Sequence, residues 1–140
     1  KRTLTQGMVF DVAPPELALF QTQSGFTYTD DQQSAIAEIF SDLSSGNVMD
    51  RLLSGDVGFG KTEVAMNAIF VAYKSGAQSA LLVPTTLLAL QHTQTLSERL
   101  APFGLRIAKL DRFVVGKEKA ALLCAQRRQN RRAHRHARAA

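Results

Sequence analysis

The chain has 140 residues, enough for one domain of ordinary size, and its 45% hydrophobic and 21% charged residues are the balance of a soluble globular protein. No apolar run approaches the roughly 20 residues that cross a bilayer, and no signal-peptide pattern follows Lys1-Arg2-Thr3-Leu4, which reads as the middle of a longer chain. The net charge of +5 lies in the tail: six of the 17 basic residues follow Cys124, and the remainder carries 11 basic against 12 acidic residues.

Residues 1–25 read as a lead-in or linker from a preceding domain, with Pro14-Pro15 breaking regular structure and Glu16 to Phe20 forming one or two helical turns. A helix starts near Asp30 or Asp31, both good N-cap residues. Ile36, Ile39, Phe40 and Leu43 make its apolar face, and Ser44-Ser45-Gly46-Asn47 ends it. Arg51 to Ser54 reads as a buried strand running into glycines. A second helix covers Lys61 to about Lys74, with Val64, Ala65, Ala68, Ile69 and Ala72 as its buried face and Gly76 at C′. Ser79 to Val83 reads as a strand stopped by Pro84, Thr86 to about Leu100 as a helix, Leu105 to Leu110 as a third strand, and Lys117 to Leu123 as a helix. This alternation predicts an α/β fold: a mainly parallel sheet between two layers of helices.

Gly55-Asp-Val-Gly-Phe-Gly-Lys-Thr62 matches the phosphate-binding P-loop pattern without a gap, between a predicted strand and a predicted helix. Its glycines, Gly55, Gly58 and Gly60, let backbone N–H groups turn inward toward phosphate oxygens, and the helix that follows adds its positive dipole end. The pattern assigns Lys61 to the β- and γ-phosphates of ATP and the Thr62 hydroxyl to Mg²⁺. Asp56 reads as a solvated loop carboxylate and Glu63 as a surface residue of the first helical turn.

Met49 to Met66, Val83 to His92, Phe26 to Gln32 and Leu110 to Phe113 together resemble the bacterial transcription-repair coupling factors, a family of RecG-like translocases in helicase superfamily 2. The resemblance runs from near residue 1 to about Leu123. It implies a RecA-like P-loop NTPase lobe, truncated, over residues 26–123. It implies ATP and Mg²⁺ as cofactors, and as partners DNA, stalled RNA polymerase and excision-repair proteins, with no membrane. By the same resemblance Gln32, three residues after Thr29, corresponds to the glutamine that reads adenine. Pro84, Thr85 and Thr86 correspond to a motif that touches the DNA backbone, where Thr85 also suits an N-cap. Arg51 and Arg112 match family positions; for Arg112 a DNA phosphate and a surface salt bridge fit equally. His92 reads as structural.

A complete motor also needs an acidic motif that holds Mg²⁺ and activates water, and arginines from a second lobe. No apolar run ending in Asp-Glu follows the second predicted strand, so the expectation is nucleotide binding without appreciable turnover. Residues 124–140, rich in Arg, Ala and His, depart from the family, and two readings fit: a basic arm that neutralises nucleic-acid phosphates, or an out-of-frame stretch of GC-rich codons. His134 and His136 alone do not make a metal site. Cys124 has no partner for an internal disulfide or a zinc cluster, which fits a reducing cytoplasm. The rival to the motor reading is a non-enzymatic piece that binds RNA polymerase or nucleic acid through its termini. A small-molecule kinase or GTPase lacks support, since no guanine motif or lid is visible. A truncated sheet also invites self-association through its open edge.

Overall fold

The computed structural model describes residues 7–111, which fall into two compact units that divide between Ser75 and Gly76. The first unit holds three helices, α1 (Pro14–Thr22), α2 (Asp30–Ser44) and α3 (Lys61–Lys74). Helix α2 begins where Thr29 takes an extended backbone and closes a reciprocal capping box. The Gln32 N–H donates to Thr29 Oγ1 (3.3 Å), and the Thr29 N–H donates to Gln32 Oε1 (3.0 Å). The cap is therefore Thr29 and not Asp30 or Asp31. Both aspartates sit in the first turn, where their charge meets the positive end of the helix dipole.

The expected apolar face of α2 is the one that packs. Ile36 and Ile39 form a buried cluster with Val64 of α3, and Tyr28, Phe40, Leu43, Met49, Leu53 and Ala68 close around it. The face of α3 differs from the expected one. Val64 is buried, but Ala65, Ala68, Ile69 and Ala72 are half-buried, while Met66, Asn67, Phe70 and Val71 are buried. The cause is α1, which offers α3 a second partner. Phe20 stacks on Phe70 with ring centroids 4.5 Å apart and planes 8° from parallel. Burying two aromatic rings outweighs burying a stripe of alanines, so the helix turns Phe70 inward. Lys74 completes the contact: its Nζ lies 2.6 Å from Glu16 Oε1 and 5.8 Å from the Phe70 ring centroid.

The chain before α1 clamps the far ends of α2 and α3. The Gly7 N–H donates to Gly46 O (2.7 Å) and the Phe10 N–H to Leu43 O (3.0 Å). Asp11 and Ser75 exchange two bonds: the Asp11 N–H donates to Ser75 Oγ (2.9 Å), and that hydroxyl donates to Asp11 O (2.8 Å). Arg51 is tied to α2, donating from Nε to Asp42 Oδ2 at 2.8 Å and pairing with Glu38, one helical turn earlier. The Arg51 hydrogen bond holds the Asp42 carboxyl below its usual range.

In the second unit α4 (Thr86–Leu100) runs between the expected bounds and passes into a 3₁₀ turn, Ala101–Phe103. Gly104, at φ +84°, closes that turn; the Leu105 N–H reaches back to Leu100 O (3.3 Å). Leu96 and Leu100 are buried. Gly76 takes the left-handed conformation expected after α3.

The three expected strands are not seen as strands. Residues 51–54, 79–83 and 105–110 carry no regular secondary structure, and Leu52 and Leu82 stand 91% and 94% exposed. An apolar run signals a wish for burial, but a strand exists only where a neighbour completes its hydrogen-bond ladder. No such ladder is assigned among the described residues. The predicted helix at Lys117 to Leu123, together with Arg112 and the tail from Cys124, lies outside those residues.

Two outcomes follow from this packing. Phe20→Ala should lower the unfolding free energy by about 3 kcal/mol, because it removes a fully buried ring from a stacked pair; urea denaturation measures it. The Asp42 pair should be pH-dependent. A carboxylate with a lowered folded-state pKa adds stability above its ordinary value of 3.8 and loses it as pH falls through the lowered value. Arg51→Ala should therefore depress the melting temperature near neutrality, and the difference from the parent should shrink below about pH 4.

Candidate functional site

The P-loop occupies residues 55–62 ahead of and into α3, and its three glycines have different reasons. At Gly58 (φ +86°) and Gly60 (φ +77°) the backbone is left-handed, which side-chain-bearing residues rarely adopt. At Gly55 the reason is space: a Cβ would lie 2.8 Å from the Phe59 ring. Gly60 has a second reason, since a Cβ there would meet Gln32 Nε2 at 2.7 Å.

Lys61, first residue of α3, curls back over the loop. Its Nζ donates to Gly55 O (2.6 Å) and Asp56 O (2.8 Å), so the ammonium is held above the turn by two carbonyl oxygens. Asp56 is exposed, as expected of a solvated loop carboxylate. Helix α3 starts from a glycine and has no side-chain cap. The first N–H groups of a helix lack the usual partner four residues back; here the Glu63 N–H returns to Gly60 O (2.9 Å), and those before it lie beside the loop at the positive dipole end. Glycines at positive φ, an uncapped helix start and a primary ammonium fit a nucleotide phosphate and its Mg²⁺. Thr62 is half-buried in the first turn, next to Lys61.

Gln32 joins this loop to α2. Its Oε1 accepts the Thr29 N–H, and its Nε2 donates to Phe59 O at 2.6 Å. A backbone donor on one side and a backbone acceptor on the other leave only one way to orient the amide.

Glu63 was expected on the surface and is not there: it is 9% exposed. The Tyr28 hydroxyl donates to its Oε1 at 2.6 Å. Asn67, fully buried one turn later, donates from Nδ2 to both the Tyr28 hydroxyl (3.3 Å) and Glu63 O (2.9 Å), and its Oδ1 accepts from Gln21 Nε2 of α1 (3.0 Å). Sequence reasoning passed over this polar cluster. Its signal was Glu63 and Asn67 spaced i, i+4 among the apolar residues Val64 to Ala72, where two buried polar groups require partners.

In the second unit Thr85 is the N-cap of α4, its Oγ1 accepting the Leu88 N–H at 3.2 Å, and Thr86 is the first helical residue after Pro84. His92 is half-buried on α4. No group of three or more potential metal ligands forms among the described residues, and no helix there is long and apolar enough to cross a membrane.

Residues 29–131 match the DEAD/DEAH box helicase family, which takes in the capping box, the P-loop and α4. The chain belongs to that family. The match runs past Leu123 into the basic tail. Among similar proteins, a transcription-repair-coupling factor of Helicobacter pylori (strain J99 / ATCC 700824) is 58% identical over 125 residues, 89% of this chain and 12% of that protein. One from Mycobacterium tuberculosis (strain CDC 1551 / Oshkosh) is 45% identical over 123 residues, 88% of this chain and 10% of that protein. One from Staphylococcus aureus (strain USA300) is 43% identical over 118 residues, 84% and 10% respectively. The chain thus spans about a tenth of the length of these relatives. The helicase family and the likeness to transcription-repair coupling factors, both expected from the motifs, are borne out. Membership implies a RecA-like P-loop fold and, for the family in general, use of ATP and Mg²⁺.

The two left-handed glycines separate two physical effects. Gly58→Ala should lower stability by about 1–2 kcal/mol from backbone strain alone, since nothing lies near its Cβ position. Gly60→Ala should lower it further, because the new methyl also displaces the Gln32 amide. Thermal unfolding of the two variants side by side checks the order.

Proposed function

We propose that this chain supplies the ATP-binding part of a DNA translocase that couples transcription to repair. The observation that carries the reading is the join of Gln32 to the P-loop. Its two protein bonds use one of the two amide N–H groups and one lone pair of Oε1. The second N–H and second lone pair are the complement of adenine N7 and N6–H₂. Phosphates would then meet the Gly58–Gly60 amides and Lys61. The Lys61 ammonium would exchange two neutral carbonyl partners for anionic oxygens, which make the stronger charge-assisted bonds. Thr62 would ligate Mg²⁺, which when bound screens the phosphate charge.

In this reading residues 26–123 are part of a first motor lobe, and residues 1–25 connect it to what precedes. Pro84, Thr85, Thr86 and Arg112 meet the DNA backbone. Binding proceeds without appreciable turnover in this chain alone. RNA polymerase and excision-repair proteins are partners of the whole protein, in the cytoplasm, and the apolar segments around Leu52 and Leu82 favour self-association of the isolated chain.

Titration of fluorescent ADP and ATP with Mg²⁺, read by anisotropy, tests this. The expected result is micromolar binding that Lys61→Ala weakens by more than about tenfold. Binding that survives Lys61→Ala would point instead to an interaction module working through its termini, and no binding by either protein would remove the nucleotide reading from this chain.

A further inference from the structure

Two side chains cross from the segment that opens α2 to the segment that opens α3. Gln32 bonds to Phe59 O, and Tyr28 bonds to Glu63 Oε1. Residues 28 and 32 are four apart, as are 59 and 63, so the crossings bracket Lys61 and Thr62. The first involves the amide that faces the base. The second ends on the buried Glu63 and takes no part in the contacts assigned to the nucleotide.

We propose that Tyr28 is a positioning residue for base recognition: its hydroxyl pins the Thr29–Gln32 capping box to the first turn of α3, so that the base-reading amide and the phosphate loop meet a nucleotide in one fixed register. This rests on the nucleotide reading above. The geometry favours it on three counts. Tyr28 adjoins Thr29, whose N–H and hydroxyl both hold Gln32. The Tyr28 hydroxyl is bonded on both sides, donating to Glu63 and accepting from Asn67. Asn67 is itself fully buried and fixed by Glu63 O and by Gln21 of α1, so the pin is anchored from behind and has no slack toward solvent. The apolar cluster of Ile36, Ile39 and Val64 sets the spacing of α2 and α3 but is not directional, so a single bond from Gln32 fixes only one point of their register. A second bond, from Tyr28 to Glu63, fixes another. That register matters to the base more than to the phosphates, because the P-loop carries its own glycines, lysine and helix start, whereas the base contact depends on how α2 sits against that loop.

The consequence is a separation of affinities. Displacement of fluorescent ADP by unlabelled ADP, GDP and inorganic tripolyphosphate, with Mg²⁺, reads it in the 140-residue chain. Tyr28→Phe should reduce the preference for ADP over GDP by about tenfold, the effect of one part-buried hydrogen bond to a carboxylate. Its affinity for tripolyphosphate should change by less than about twofold. Glu63→Gln keeps an acceptor for the tyrosine and should keep the preference; Glu63→Ala should lose it as Tyr28→Phe does. If Tyr28→Phe melts below the assay temperature, the two Glu63 variants decide. An unchanged ADP-to-GDP ratio in Tyr28→Phe or Glu63→Ala overturns the proposal, as does a parallel loss of tripolyphosphate, which marks general loosening. A parent chain that binds tripolyphosphate without preferring ADP, or binds none of the three, overturns the base reading itself, and the pin falls with it; that failure shows in the parent, not in the variants.

Discussion

The amide of Gln32 holds the first unit's candidate site together. It closes the N-terminus of α2 through Thr29 and reaches Phe59 O in the P-loop, so one side chain caps a helix and fixes the loop that precedes another. The surrounding choices follow from that bond. Residue 60 must be glycine, because any Cβ would occupy the amide's place. The loop must turn left-handed there to present Phe59 O to α2 and then start α3. The apolar cluster of Ile36, Ile39 and Val64 keeps the two helices at the separation the amide can span. Hydrophobic burial brings α2 and α3 together, and the directional bonds choose their register.

Helices were the legible part of the sequence, for local reasons. The bounds of α3 and α4 follow from Gly60, Gly76, Pro84 and Thr85, residues whose backbone or capping preferences act within a few positions. What was not legible depended on remote partners. The α3 face was misjudged because Phe20, some fifty residues away in sequence, decides it. Glu63 was misplaced because its partner Tyr28 lies outside the P-loop pattern. The strand expectations depend on non-local pairing most of all, and residues 51–54 and 79–83 show how an apolar run with no ladder remains irregular. Of the candidate site, the P-loop octet could be read from spacing alone, and the role of Gln32 came from resemblance. The Gln32–Phe59 bond and the Tyr28–Glu63–Asn67–Gln21 cluster required the fold.

The starts of the helices divide by how their N–H groups are satisfied. Thr29 caps α2 and Thr85 caps α4, each hydroxyl oxygen taking a backbone N–H from the first turn. Helix α3 follows a left-handed glycine with no side chain to offer. A capped helix start is closed in part to a second acceptor, whereas an uncapped one keeps more of its first turn open at the positive end of its dipole. Helix α1 also lacks a side-chain cap, but Pro14 and Pro15 remove N–H groups from its start, so among the four described α-helices α3 has the start most open to an anion. At α4 the Leu88 N–H is already taken, so an anion there would meet the remaining first-turn N–H groups and the proton of the Thr85 hydroxyl, which stays available as a donor while its oxygen accepts. Such a contact is weaker and more easily broken. The two helix starts therefore differ in how much of the first turn each leaves open to an anion.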